Sequence, residues 1–296
     1  MMIAALLVTI IGSTLPAVSR AQVEWKDRYV TMAESDQKNP SVAEPAQSSF
    51  TIVVWEDERY GNRDIFIQKV DKASGATLWQ PDGIPLCLVD NDQRNPRAAY
   101  DSLGGVIVTW EDCRDDAQNV ISHIYATRID VATGQLSTGW QQDGDPVCVQ
   151  EVPCLRPRIA GTANGAFIAW YDSRRNPPDQ DVYVQYILSD ASIAWQQDGK
   201  LVEVDAQAQE YDQINPEISR DYHWLEDANN NTDRCGVVIA FLDRRHLSAA
   251  TNEPIWNVYL SRYDWLENPG YEDIRPPEYD QNQINHVLRT AGKYVT

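Results

Sequence analysis

The chain has 296 residues, of which 43% are apolar, with 44 acidic and 25 basic side chains. The formal net charge of −19 makes nucleic acid and anionic membranes poor partners, because both are negatively charged and would repel the chain. The same charge is compatible with divalent cations, or simply with high solubility.

The amino terminus has the composition of an export signal. Residues 3–18 are almost wholly apolar, and Ser19 and Ala21 supply small side chains before Gln22, although no basic residue precedes the apolar run. We therefore predict a signal peptide at 1–21, a secreted or cell-surface location in a bacterium, and no membrane contact after cleavage. A retained membrane anchor is the alternative, but the run is short for a span.

The segment 23–36 resembles the last strand of a unit whose other strands are missing. The first complete unit then has predicted strands at 37–43, 50–55, 64–71 and 79–88, because these stretches are rich in β-branched and aromatic residues and turn residues separate them. The same order of features recurs along the chain. We place the repeats at approximately 37–92, 93–153, 154–209 and 210–277, with a partial copy at 278–296, in one domain of residues 22–296.

The centre of each repeat is an apolar run that ends on an aromatic residue, followed by Asp at +2 and Arg at +4. The four copies span 50–59, 106–114, 166–174 and 237–245. In an extended strand Trp55, Asp57 and Arg59 would share one face, so the arginine is predicted to pair with the carboxylate and to cover the indole. The resulting pairs are Asp57 with Arg59, Asp112 with Arg114, Asp172 with Arg174, and Asp243 with Arg245.

Four strand-sized segments in a period near 55 residues indicate an all-β fold, a β-propeller of four-stranded antiparallel blades. Four full blades and a partial fifth are expected, and the ring is possibly not closed. Exposed sheet edges at the two ends of such an arrangement predict self-association.

The recurring order of Gln-x-Asn-Pro, apolar run, Trp-x-Asp-x-Arg and Trp-x-x-Asp-Gly resembles repeats of secreted bacterial proteins that belong to the sialidase-like propeller superfamily. The resemblance covers roughly residues 23–265. It implies the propeller fold but no particular function, because most such proteins have no known activity. True sialidases carry Ser-x-Asp-x-Gly-x-x-Trp boxes and a single-copy set of arginines, and these boxes are absent here. No catalytic residue is therefore carried over, and the Asp/Arg pairs are interpreted as structural.

Two single-copy features could bind or join other groups. Asp227, Asn229, Asn231 and Asp233 alternate as the oxygen ligands of a calcium loop do, whereas a solvated Asn-rich loop is the alternative. We expect no cofactor, with calcium at these four residues as the alternative. Cys148 and Cys154 are six residues apart in a chain predicted to be exported, so we predict that they form a disulfide.

Two functions remain open from the sequence. The preferred reading is a non-catalytic exported propeller that binds a protein or glycan partner, or its own copies, at the cell surface. The alternative is a sialidase-like glycoside-processing enzyme. A cluster of single-copy carboxylates and arginines at the central funnel would favour the enzyme, whereas a funnel lined only by repeat-equivalent residues would favour the binding module.

Overall fold

A computed structural model describes residues 26–45, 47–176, 178–202, 211–221, 236–248 and 250–264. In these residues the regular structure consists of β-strands, and none of it is a helix that is long and apolar enough to span a membrane. The predicted signal peptide lies outside the described residues.

The strands form four antiparallel sheets in which each strand pairs with the next one along the chain. Sheet 1 contains β1 (Gln37–Ala43), β2 (Phe50–Asp57), β3 (Asp64–Asp71) and β4 (Ile84–Cys87). Sheet 2 contains β5 (Gln93–Tyr100), β6 (Gly105–Asp112), β7 (His123–Asp130) and β8 (Asp145–Cys148). Sheet 3 contains β9 (Leu155–Gly161), β10 (Gly165–Asn176), β11 (Asp179–Leu188) and β12 (Lys200–Leu201). Sheet 4, within the described residues, contains β13 (Gln213–Asp221), β14 (Gly236–Leu247) and β15 (Pro254–Asp264).

The fourth strands are shorter than the sequence predicts. The strand expected over 79–88 is limited to Ile84–Cys87, because Asp82 and Gly83 take the left-handed conformation with φ of 62° and 87°. Such a backbone cannot continue a pleated strand. The fourth strands β8 and β12 are also short and follow the same Asp-Gly turn, which has φ values of 62° and 91° at residues 143–144 and of 64° and 78° at residues 198–199.

The sheets pack face to face through apolar side chains. Ile52 and Val54 of sheet 1 contact Val106 and Trp110 of sheet 2, and equivalent clusters join sheet 2 to sheet 3 and sheet 3 to sheet 4. The first strands of successive sheets lie side by side. The arrangement is that of consecutive propeller blades, with the first strand of each sheet innermost.

Every first strand contains a β-bulge next to a proline or its equivalent. In β1, the pairing with β2 shifts between Lys38 and Ser41, and Asn39 takes a φ of 49°. Asn95, Arg156 and Asn215 hold the same place in the other sheets, with φ values of 54°, 53° and 53°. A bulge bends its strand and changes the direction of the side chains that follow it. It therefore determines where the residue after the proline points.

Candidate functional site

A cavity of about 320 Å³ lies where the four first strands meet. Its lining consists of Ser41 from β1, Arg97 and Ala98 from β5, Arg158 and Ile159 from β9, and Glu217 and Ile218 from β13. Each strand contributes the one or two residues that directly follow its proline. The cavity therefore marks the axis of the propeller-like arrangement.

The four polar lining residues occupy the same position in the repeat but differ in chemistry. Ser41, Arg97, Arg158 and Glu217 each follow the proline of their strand, at Pro40, Pro96, Pro157 and Pro216. Repetition of the fold thus brings one position from each sheet to one point, and the side chains there are a hydroxyl, two guanidinium groups and a carboxylate. A centre that binds an asymmetric ligand requires this kind of unlike set.

The two arginines differ in how they are paired. Arg158 Nε donates to Glu217 Oε1 at 2.8 Å, and its Nη1 donates to the carbonyl oxygen of Pro157 at 3.1 Å. Arg97 Nη1 donates to the carbonyl oxygen of Pro96 at 2.7 Å, and no carboxylate in the described part of the chain forms an ion pair with it. Burial and the nearby positive charge of Arg158 lower the pKa of Arg97, while Glu217 acts in the opposite direction. Arg97 is thus a guanidinium with hydrogen-bonding capacity left for a ligand.

Two buried glutamates support the first strands beside the cavity. Glu56 Oε1 accepts hydrogen bonds from Asn39 Nδ2 at 2.7 Å and from the backbone N–H of Asn95 at 2.6 Å. Glu111 Oε1 accepts from the backbone N–H of Arg156 at 2.8 Å and from Asn95 Nδ2 at 2.9 Å. Burial raises the pKa of Glu111. These carboxyl groups bind the bulges of neighbouring sheets together, so they position the residues that line the cavity.

The repeated Asp/Arg pairs lie elsewhere and tie each sheet together. Arg59 Nε and Nη2 donate to Asp57 Oδ1 and Oδ2 at 2.9 and 2.6 Å, and Trp55 Nε1 donates to Asp57 Oδ2 at 2.9 Å. Burial opposes ionisation of Asp57, but the hydrogen bonds from Arg59 and Trp55 outweigh it and the pKa of Asp57 is lowered. Arg59 Nη2 also donates to the carbonyl oxygen of Asp82 at 3.0 Å, which holds the Asp-Gly turn.

The same contacts recur at Asp112 with Arg114 and at Asp172 with Arg174, and Arg245 pairs with Asp243. The prediction that the arginine covers the indole is wrong in one respect. The guanidinium lies 4.0 Å from the ring centre of Phe66 on the third strand, and Tyr125, Tyr183 and Tyr259 occupy this place in the other sheets. The indole is instead a hydrogen-bond donor to the aspartate. None of these pairs is among the described residues that line the cavity.

Cys148 and Cys154 form a disulfide between the last strand of sheet 2 and the start of sheet 3. Their sulfur atoms and a carboxylate oxygen of Asp172 lie within 4.8 Å of one another. Asp172 already accepts from Trp170 and Arg174, and bonded sulfurs are not thiolate ligands, so this group fits a structural role better than a metal site. The predicted calcium ligands Asp227, Asn229, Asn231 and Asp233 lie outside the described residues.

Sequence reasoning missed the residues at the axis. It followed what the repeats share, whereas the cavity depends on the position at which they differ. The signal was present in the sequence, because the residue after the proline of each Gln-x-Asn-Pro-like motif is Ser, Arg, Arg and Glu in turn.

No protein-family model and no curated protein sequence matches the chain. Among solved structures it is similar to a thermostable family-43 glycoside hydrolase, with 13% identity, 81% of this chain and 78% of that chain covered, and a TM-score of 0.40. It is also similar to an N-acetylgalactosamine deacetylase from F. plautii in complex with blood group B trisaccharide, with 10% identity, 81% of this chain and 77% of that chain covered, and a TM-score of 0.44. A third similar structure is an endo-1,4-beta-xylanase from Bacteroides thetaiotaomicron, with 10% identity, 78% of this chain and 72% of that chain covered, and a TM-score of 0.41.

The similar structures include glycoside hydrolases and a neuraminidase-like protein, whereas no family model, and so none of a Trp-x-Asp-x-Arg repeat family, matches the chain. The preferred prediction of a non-catalytic binding module is wrong on this comparison, because most of these structures are glycoside hydrolases and agree with the alternative. A likeness at such low identity concerns the fold alone.

Proposed function

We propose that the chain is a glycoside-processing enzyme that binds an acidic sugar in the central cavity. The observation that carries the proposal is the unlike set of Ser41, Arg97, Arg158 and Glu217 at one repeat position around one cavity. Two guanidinium groups and one carboxylate line the cavity itself, in a chain of net charge −19. A sugar that carries a carboxylate is the glycan class that such a site attracts.

Each polar lining residue has a distinct role in this proposal. Arg97, whose guanidinium has no carboxylate partner in the described structure, binds the sugar carboxylate through two parallel N–H groups. Arg158 adds positive charge and holds Glu217 through its 2.8 Å contact. Glu217, with a side chain that is 69% exposed, donates a proton to the glycosidic oxygen as the bond from that oxygen to the anomeric carbon breaks, and a water that adds to this carbon returns a proton to the carboxylate. Ser41 offers a hydroxyl to the sugar ring.

The wider organisation of the chain belongs to the same proposal. Four blades and a partial fifth surround the cavity, and the chain is exported and acts outside a bacterial cell. The disulfide between Cys148 and Cys154 supports an oxidising location. A glycan is then the natural partner, and calcium binding at Asp227 and its neighbours stays a prediction.

The test is hydrolysis of fluorogenic sialosides, glucuronides and neutral glycosides by the mature chain. We expect turnover of an acidic substrate and a loss of roughly 10- to 100-fold in kcat/KM for Arg97→Ala, because one charge-assisted hydrogen-bond pair is removed. Glu217→Gln should lower kcat more than it raises KM, since it removes the proton-transfer group and keeps the shape.

Arg63→Ala is the matched control, because Arg63 is also a half-buried arginine but pairs with Glu58 away from the cavity. Its kinetics should equal those of the wild type. Absence of turnover on every glycoside, together with no binding of free sialic or glucuronic acid by calorimetry, would refute the proposal.

A further inference from the structure

One face of sheet 4 is apolar and exposed where the other sheets are buried. In β15 the side chains of Val258 and Leu260 are 67% and 45% exposed. Val258 follows Asn257, the strand partner of Asp243. The equivalent pairs in sheets 1 to 3 are Ile65 with Ile67, Ile124 with Ala126, and Val182 with Val184, and all six side chains have 0% exposure.

The burial of those six side chains has a single cause. In sheets 1 to 3 they face the next sheet along the chain and belong to the clusters that join neighbouring sheets. Val258 and Leu260 have no such sheet in front of them within the described residues. Their apolar character thus indicates a surface that another element covers.

The segment that precedes sheet 1 makes contacts that indicate where the outer edge of a further sheet would lie. The backbone N–H of Met32 donates to Asp82 Oδ1 at 2.6 Å. In the next two sheets the backbone N–H groups of Leu88 and Val149 donate to the equivalent Asp143 and Asp198 at 3.1 and 2.7 Å. Leu88 and Val149 each directly follow the fourth strand of the preceding sheet. Met32 therefore has the place of a residue at the end of a fourth strand.

A second contact gives the same register. Arg59 Nη2 donates to Thr31 Oγ1 at 3.3 Å, where Arg114 and Arg174 donate to the sulfur atoms of Cys87 and Cys148 at 3.6 and 3.0 Å. Residues 31–32 thus make on sheet 1 the contacts that the end of a fourth strand makes on sheets 2 and 3, although the described segment 26–36 is not itself a β-strand. On the innermost strand of sheet 1, Val42 is 61% exposed.

We infer that the carboxy-terminal residues 265–296 pack on the face formed by Val258 and Leu260, as the inner part of a fifth sheet whose outer edge is completed by the segment 26–36. Within them, Gln283-Ile284-Asn285-His286 repeats the order of Gln213-Ile214-Asn215-Pro216, which opens β13. This inference rests on the proposed blade organisation and is independent of the sugar site.

A second copy of the chain is the rival occupant, in line with the predicted self-association. The chain's own segment is favoured for two reasons. It follows directly after β15, so its effective concentration at the face is high. Copies with a net charge of −19 repel one another, and Met32 of the same chain already makes the contact with Asp82 that the end of a preceding fourth strand would make.

Hydrogen–deuterium exchange of the full mature chain tests the inference. We expect the amides of residues 283–289 to exchange at least roughly tenfold more slowly than an unstructured peptide. In Val258→Asp/Leu260→Asp that protection should be lost, because two carboxylates replace the apolar face, while β10 and β11 keep theirs. Val120→Asp is the control, since Val120 is 65% exposed outside this face, and it should leave the protection unchanged.

Three results would overturn the inference. The first is rapid exchange of residues 283–289 in the wild type, and the second is protection that survives Val258→Asp/Leu260→Asp. The third is protection that appears only at high protein concentration together with a dimer mass in light scattering, which would assign the face to a second copy. Rapid exchange of β13 to β15 themselves would instead identify a failure of the proposed blade organisation.

Discussion

Asp64, the first residue of β3, is a buried carboxylic acid that the proposed chemistry does not use. Its side chain is 1% exposed, Oδ1 accepts from Asn62 Nδ2 at 3.3 Å, and Oδ2 has no hydrogen-bond partner in the described structure. Burial, with the negative charges of Asp57 and Asp143 as lesser causes, raises its pKa from 3.8 to about 7. The folded chain therefore keeps this proton at pH values where the unfolded chain has lost it.

A raised pKa determines how stability depends on pH. The contribution of Asp64 is fully present below pH 3.8 and is lost as pH rises through about 7. Asp64→Asn keeps a neutral side chain at every pH, so we expect it to lose less stability than the wild type between pH 5 and pH 8, by on the order of 2 kcal/mol. Urea denaturation at the two pH values measures this difference.

Asp71→Asn is the control for this prediction. Asp71 is on the same strand, but hydrogen bonds from Ser74 lower its pKa, so its charge does not change in this pH range. If Asp64→Asn and the wild type lose the same stability between pH 5 and pH 8, Asp64 is ionised in the folded chain and the assignment fails.

The Asp-Gly turn is the element that ends the apolar packing of each sheet. Gly144 has a φ of 91°, and a Cβ there would lie 2.5 Å from Trp110 Cη2. The turn thus brings the backbone against the buried indole, whose Nε1 donates to Asp112 at 2.7 Å. Gly83 and Gly199 approach Trp55 and Trp170 in the same way.

Close approach and backbone strain can be separated by two glycines. Gly104 has a φ of 87°, similar to that of Gly144, but a Cβ there would meet nothing within 4 Å. Gly104→Ala should therefore cost about 1 kcal/mol from strain alone, whereas Gly144→Ala should cost a further 1–3 kcal/mol, roughly, because it displaces Trp110. Urea denaturation of both variants measures the difference, and equal losses would show that the indole moves aside freely.

The elements differ in how far the sequence predicts them. β1 and β3 have the predicted bounds, because β-branched and aromatic runs between turn residues specify strands strongly. The predicted fourth strand is too long, because the Asp-Gly pair inside it forms a turn. The glycine of that turn packs against Trp55 on the second strand, and this contact between distant residues cannot be seen in the local sequence. The candidate site was missed for a related reason. Arg97 and Glu217 meet only because four sheets converge, and no local pattern encodes that meeting.

The whole molecule depends on joints between sheets, and one of them is covalent. The Cys148–Cys154 disulfide joins sheets 2 and 3 across a sequence separation of six residues. We expect Cys148→Ala/Cys154→Ala to lower the free energy of unfolding by about 2 kcal/mol, because the unfolded chain gains freedom when a small loop is opened. Urea denaturation with and without a reductant measures the effect.

Cys87 supplies a matched control for the disulfide. It holds the position of Cys148 in sheet 1, is buried, and is a free thiol. Cys87→Ala should remain sensitive to reductant, as the wild type is, whereas Cys148→Ala/Cys154→Ala should not respond. A double variant that still loses stability on reduction would contradict the assigned pairing.

Because each first strand contains a bulge, different residues maintain the fold and face the cavity. The backbone of each first strand is set by a residue in the left-handed conformation and the proline after it. The left-handed residues are Asn39, Asn95, Arg156 and Asn215, and the side chain after each proline lines the cavity and does not pack in the core. That side chain is Ser, Arg, Arg or Glu without a change in the strand. A single substitution at any of these four positions should therefore change which ligand the cavity prefers without changing the backbone of the sheets.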